Sequence, residues 1–190
     1  MATVSVTIEG ISSLLQRGFS AEFQNEDATR AQVVQHPAPR AAAEAVCYRD
    51  DEGFCYFPGT AIDRLLAEAG SNHKLKGSRR AVKWVVPAAV LMLNDRIHIR
   101  TKDGKKRTDF EVDSRPVVIP STKGRIMRHR PRWDQWTARF ELEIDPAVLP
   151  VDVVHQLLEE GGRRVGIGDF RPEKRGPFGR FHILSWEVTD

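Results

Sequence analysis

Hydrophobic and polar positions alternate strictly over Thr3 to Glu9, with Val4, Val6 and Ile8 set against Thr3, Ser5 and Thr7 before Gly10. That period of two predicts a first strand with one buried face. The alternation returns late, in Thr137 to Ile144 through Phe140, Leu142 and Ile144, and in Phe181 to Val188 through Phe181 and Ile183. Two stretches switch to the helical period. Pro58-Gly59 leads into Ala61 to Ala69, with Thr60 placed as N-cap, Asp63 in the first turn, Ile62, Leu65 and Leu66 on one face and Gly70 as a stop. Val151 to Glu160 repeats the pattern with Val154, Leu157 and Leu158, and Gly161-Gly162 is expected to close it.

Between these elements the pattern weakens. Ser12 to Arg40, with its His36-Pro37-Ala38-Pro39 run, reads as a long loop, because proline removes amide donors. Ala45 to Phe57 reads as a hairpin around an acidic turn, and Val82 to Leu93 as an apolar strand or strand pair. Arg96 to Arg100 enters a cationic hairpin turn at Lys102 to Lys105, and Asp113 to Pro120 is extended. Ser121 to Trp136 reads as a basic loop tipped by Trp133 and Trp136. The order strand, helix, strands, strand, helix, strand predicts an α+β fold of the ferredoxin-like, RRM type. The reading is one domain over residues 1–190, an antiparallel sheet with two main helices and insertions at about 12–40, 71–80, 100–136 and, rich in glycine, 161–180.

Charge sharpens the picture. Residues 1–70 carry five basic and ten acidic side chains, a balance of −5, whereas residues 71–190 carry twenty-four and sixteen, a balance of +8. The cations gather around Lys74, Lys76, Arg79 and Arg80; around Lys105, Lys106 and Arg107; around Arg128, Arg130 and Arg132; and around Arg163, Arg164, Arg171, Lys174, Arg175 and Arg180. Clusters of that kind fit a polyanion, since each neutralised phosphate releases counterions. Gly166 and Gly168 among the last group allow close backbone approach, and Trp133, Phe170 and Phe178 are rings on which bases could stack. Each of these rings could equally anchor a core.

Other chemistry is weakly marked. Asp27, His36 and His73 are the candidates for a ribonuclease, with His129 behind them, but none has a partner at diagnostic spacing, so binding without catalysis is expected. Asp109, Glu111 and Asp113 read as a solvated strand face and not as a metal pair. Cys47 and Cys55 have no companions at metal-site spacing and read as buried or idle thiols of a reducing compartment. No metal or cofactor is expected. No apolar run long enough to span a bilayer occurs and no leader pattern opens the chain, so a cytoplasmic protein without membrane contact is expected.

Two segments resemble a known family. Tyr56-Phe57-Pro58-Gly59-Thr60-Ala61-Ile62-Asp63-Arg64-Leu65-Leu66 is similar to the entry into the first helix of the RAMP superfamily. Val165-Gly166-Ile167-Gly168-Asp169-Phe170-Arg171-Pro172, continuing through Gly176-Pro177-Phe178-Gly179-Arg180-Phe181, resembles that superfamily's C-terminal glycine-rich loop. The loop departs from the family in its longer Arg-Pro-Glu-Lys-Arg insertion, and the chain is short for a backbone subunit. The resemblance implies a single-stranded nucleic-acid-binding protein, RNA favoured, that oligomerises along a guide in a CRISPR-like particle with other effector subunits. It leaves open a solitary phage or mobile-element protein that binds single-stranded DNA or RNA, a RAMP-type endoribonuclease, and an inhibitor shaped like a backbone subunit.

Overall fold

The computed structural model describes residues 1–18, 37–75, 77, 79–118 and 123–189. Asp27, His36 and Lys76 lie outside the described residues. The central element is a four-stranded antiparallel sheet of β1 (Ala2–Gly10), β4 (Val90–Met92), β8 (Thr137–Ile144) and β9 (Phe181–Thr189), in the order β4-β8-β1-β9. Val4 pairs with Leu142, Val6 with Phe140 and Ile8 with Ala138 across β1 and β8, and all six are buried. The expected alternation is therefore the physical register: one face of the sheet is core, and a slip by one residue would turn it to water.

Helices α2 (Thr60–Ala69) and α4 (Val151–Arg164) cover that face through Ile62, Leu65 and Leu66 and through Val154, Leu157 and Leu158. The helix α4 does not stop at Gly161-Gly162. A Cβ at Gly161 would overlap the Leu65 side chain of α2, and one at Gly162 would lie 2.6 Å from the Phe181 carbonyl of β9. These glycines let the helix pack closely against its neighbours, which outweighs their low helix propensity. At the start of α2 the cap is Gly59, not Thr60, because a Cβ there would overlap the Asn94 carbonyl. Gly70 is held in ordinary right-handed backbone against Lys83 and leads into a single 3₁₀ turn.

A second antiparallel sheet holds β2 (Leu14–Leu15), β7 (Arg125–Trp133) and β6 (Glu111–Val118) in the order β2-β7-β6. It corrects two expectations. The span 121–136 is largely a nine-residue strand, and its basic look misled because Arg130 is buried. Pro131 sits within the ladder where only its carbonyl is needed, accepting from the Gln16 amide at 3.2 Å. The expected loop 12–40 likewise contains β2, and Pro39 opens α1 (Pro39–Ala45) at a position where a missing amide costs nothing.

The hairpin at 45–57 reduces to an Arg49–Cys55 bridge, while β3 (Tyr56–Pro58) pairs with β5 (Arg96–His98). Residues 82–93 form a 3₁₀ turn, the short helix α3 (Val86–Ala89) and β4, because Pro87 suits a first helical turn better than a ladder. The hairpin turn after β5 is present, with the Thr101 amide donating to the Lys105 carbonyl at 2.8 Å and Gly104 at φ 80°.

Candidate nucleic-acid interface

Beyond α4 the chain enters the glycine-rich segment, which starts at Val165 and not at Gly161. Its glycines are used by the chain itself. Gly166 (φ 71°), Gly168 (φ 76°) and Gly179 (φ 70°) all hold left-handed backbone, which a side chain disfavours. A Cβ on Gly168 would overlap the Leu15 carbonyl and lie 2.8 Å from Leu14 Cδ1; one on Gly179 would overlap the Ile167 carbonyl, and one on Gly176 the Phe170 carbonyl. Asp169 donates its amide to the Leu15 carbonyl at 2.8 Å, and Ile167 its amide to Gly179 at 2.9 Å. The segment is a folded knot seated on β2.

A buried charge network ties the knot to the second sheet. Arg130 of β7 has a side chain only 6% exposed; its Nε lies 2.7 Å from Asp169 Oδ2 and its Nη1 3.8 Å from Asp113 Oδ2. The Arg130 to Asp169 approach lacks hydrogen-bond alignment, so the attraction is that of charges in a low-dielectric site. Arg115 completes the network by a bidentate bond to Asp113 at 2.6 and 2.8 Å, which raises the arginine's own affinity for its proton. Asp113 is thus a buried partner and not part of a solvated strand face.

Two adjoining cavities flank this tie and share Arg17. The larger, about 420 Å³, is lined by Arg17, Arg125, Arg128, His129 and Arg130 over an apolar floor of Ala42, Val46, Ile126 and Met127. The smaller, about 220 Å³, lies between the glycine-rich knot and the first turns of α2, where Tyr48, Arg17, Arg64 and Arg171 face Asp169 and Glu173. Burial alone would raise the Glu173 carboxyl, but Arg171, Arg64 and Lys174 around it outweigh that and hold it below its usual range. Six arginines against two carboxylates make the joined cleft cationic, and its apolar floor offers surface to a base or sugar.

The cleft gathers Arg128, Arg130, Gly166, Gly168 and Arg171 of the expected residues. The others lie elsewhere. Lys74, Arg79 and Arg80 are exposed beyond the C-terminal end of α2, Lys105 and Lys106 sit at the hairpin turn with Arg107 bonded to Asp109, and Arg132 is paired with Asp134. Arg163 and Arg164 ride on α4, paired one turn back with Glu159 and Glu160. Lys174, Arg175 and Arg180 are exposed around the knot. Trp133 is a correction: its ring is 2% exposed, donates to the Asp109 carbonyl at 2.7 Å and meets Phe110 edge-on, so it has no face to offer a base. Phe178 is also buried, against Phe170 and under the Arg115 guanidinium, which leaves Phe170 as the partly open ring of the pair. Arg17 and Arg64 were missed, because each is isolated in sequence and only the tertiary fold brings them to one cavity.

Of the ribonuclease candidates, His73 bonds Glu160 at 3.1 Å outside the cleft, and that bond lowers the carboxyl's pKa. His129, which does line the cleft, shares a 2.7 Å hydrogen bond with Ser114. The open face of the main sheet shows Ser5, Thr7, Arg139, Glu141 and Glu187, with the His182 ring beside Glu9.

No family model and no curated protein matches the chain. Among solved structures it is similar to a subunit of the type III-B Cmr-beta complex bound to cognate target RNA, at 13% identity and a TM-score of 0.57, over 100% of this chain and 61% of that one. The chain therefore spans about three fifths of that subunit's length. A type IV-B CRISPR complex subunit matches at 12% identity and a TM-score of 0.49, over 98% of this chain and 90% of its own. Cmr6 from Pyrococcus furiosus matches at 10% and 0.47, over 96% and 98%. At 13% identity the likeness to the Cmr-beta subunit is one of fold alone.

Proposed function

We propose that this chain binds single-stranded nucleic acid, RNA in preference, as one subunit of a CRISPR-like ribonucleoprotein. The observation that carries the reading is the cleft joined at Arg17, where six arginines converge between the β6–β7 ribbon and the glycine-rich knot. A ferredoxin-like, RRM-type fold is supported by the sheet order, since β1, β4, β8 and β9 with α2 and α4 between them follow the strand order of that fold. The fold shared with a subunit of an RNA-bound complex adds to the reading. In this account phosphates lie along Arg17, Arg125 and Arg128, and the exposed Arg175 and Arg180 extend the track around the knot. The binding is electrostatic and tolerant of sequence. Further copies of the chain, or other effector subunits, bind adjacent stretches of the same strand.

Fluorescence anisotropy with labelled single-stranded RNA across a salt series tests this. Log affinity should fall against log salt by about 0.7 per phosphate contacted, and Arg17→Ala with Arg125→Ala and Arg128→Ala should remove about 2 from the slope. A salt-independent affinity, or a triple variant that binds like the parent, would sink the proposal. Light scattering on strands of increasing length checks assembly: the particle should grow in steps.

A further inference from the structure

The two cysteines, which the nucleic-acid reading does not use, form a third constellation. The antiparallel bridge between Arg49 and Cys55 places Cys47 on the same face of the hairpin two residues along, and the sulfurs stand 3.8 Å apart with the Cys47 thiol donating to Cys55. Arg49 Nη1 lies 3.3 Å from the Cys55 sulfur. That guanidinium is fixed in turn by Glu44, by the Gly53 carbonyl at 2.7 Å and by the Thr108 carbonyl at 2.8 Å. Cys55 is fully buried and Cys47 is half-buried.

We infer that Cys47 and Cys55 are a peroxide-responsive dithiol that closes to an intramolecular disulfide. Loss of one proton leaves a thiolate that the S–H···S bond shares between the sulfurs and the Arg49 charge stabilises. The hydrogen bond from Cys47, with Arg49, pulls the Cys55 thiol down against its burial, and the same bond then holds the proton on Cys47 far above the ordinary thiol range. The charge rests mainly on Cys55, and the reactive form is the small fraction in which the proton has crossed the bond and left the charge on the half-exposed Cys47. Its sulfur attacks one oxygen of hydrogen peroxide, the O–O bond breaks, hydroxide leaves, and Cys47 becomes a sulfenic acid. The Cys55 thiol gives its proton to the released hydroxide, and the thiolate so formed attacks the Cys47 sulfur, making the S–S bond and expelling a second hydroxide, which takes up the proton lost at the start. In sum two thiols and one peroxide give one disulfide and two waters.

Closure needs the sulfurs to approach by about 1.8 Å to a normal bond length. The cross-link would lock the hairpin that carries Tyr48, whose amide is held by Gln16 at 2.8 Å and which lines the smaller cavity.

The test is stoichiometric hydrogen peroxide on the folded, purified chain, followed by intact-mass and thiol measurements. The expected product is a monomer lighter by about 2 Da, with both thiols lost together and restored by dithiothreitol. It should melt about 5 °C higher, since the closed loop is short. Cys55→Ser should stop at a sulfenic acid on Cys47 that dimedone traps. If that variant does not fold, the wild-type mass decides alone. Gain of about 32 Da as a sulfinic acid, a dimer cross-linked between chains, or thiols that stay reduced would each overturn the inference.

Discussion

Gly168 and Gly104 share a backbone conformation but not an environment, which makes them a controlled pair. Gly104 stands at φ 80° with nothing near where a Cβ would be, so Gly104→Ala carries only the left-handed strain, about 1 kcal/mol. Gly168→Ala at φ 76° carries the same strain and, in addition, drives a methyl into the Leu15 carbonyl. Relief requires the knot to lift from β2, which breaks the bond from the Asp169 amide to Leu15, worth about 1 kcal/mol. It also loosens the buried Leu14 and Leu15, at about 1–2 kcal/mol more. The sum is about 3–4 kcal/mol against about 1. For a chain of 190 residues that is a melting-point drop of about 10 °C against about 3 °C. Thermal unfolding followed by circular dichroism measures both. Equal drops would show that the knot is not seated on β2. A Gly168→Ala variant as stable as the Gly104 control but deficient in RNA binding would instead mark Gly168 as a place where phosphate meets the backbone.

Arg130→Ala removes the buried partner of Asp169 and should cost about 3 kcal/mol, at the low end for a broken buried pair because Arg115 still holds Asp113; Arg125→Ala, on the exposed rim, should lower RNA affinity without moving the melting point. Denaturant midpoints for both variants separate the two roles. Gly162→Ala should destabilise by about 1–2 kcal/mol despite alanine's better helix propensity, because its methyl would press on the Phe181 carbonyl and ring. Midpoints that rise instead would show α4 free to shift. The carboxyls of Asp50, bonded to His98 at 2.7 Å, and Glu160, bonded to His73, are both held below their usual range. Their contribution is present above about pH 4 and is lost as pH falls through the folded values, so Asp50→Asn should flatten the acid limb of a stability profile.

The main sheet and its two helices were legible because one buried face imposes a clean period on Val4 to Ile8, on Phe140 to Ile144 and on Ile62 to Leu66. The second sheet was not. In β7 the buried positions include Arg130 beside Trp133, and the arginine's polarity hides its burial until Asp113 and Asp169 are brought to it by distant parts of the chain. Pro39 read as a break and Pro131 fell in a span read as loop, yet each sits where an amide donor has no use. Gly161 and Gly162 read as a helix end because the pattern cannot show what stands opposite a missing side chain. The same blindness applied to the cleft: Arg128 and Arg171 lie in evident basic runs, but Arg17 and Arg64 are isolated in sequence and meet only across the smaller cavity.

The Arg130 tie has a mechanical consequence. Because the guanidinium stands against Asp169, the same residue whose amide bonds Leu15, the β6–β7 ribbon, β2 and the glycine-rich knot meet at one position, and a displacement of any of the three strains a contact with the other two.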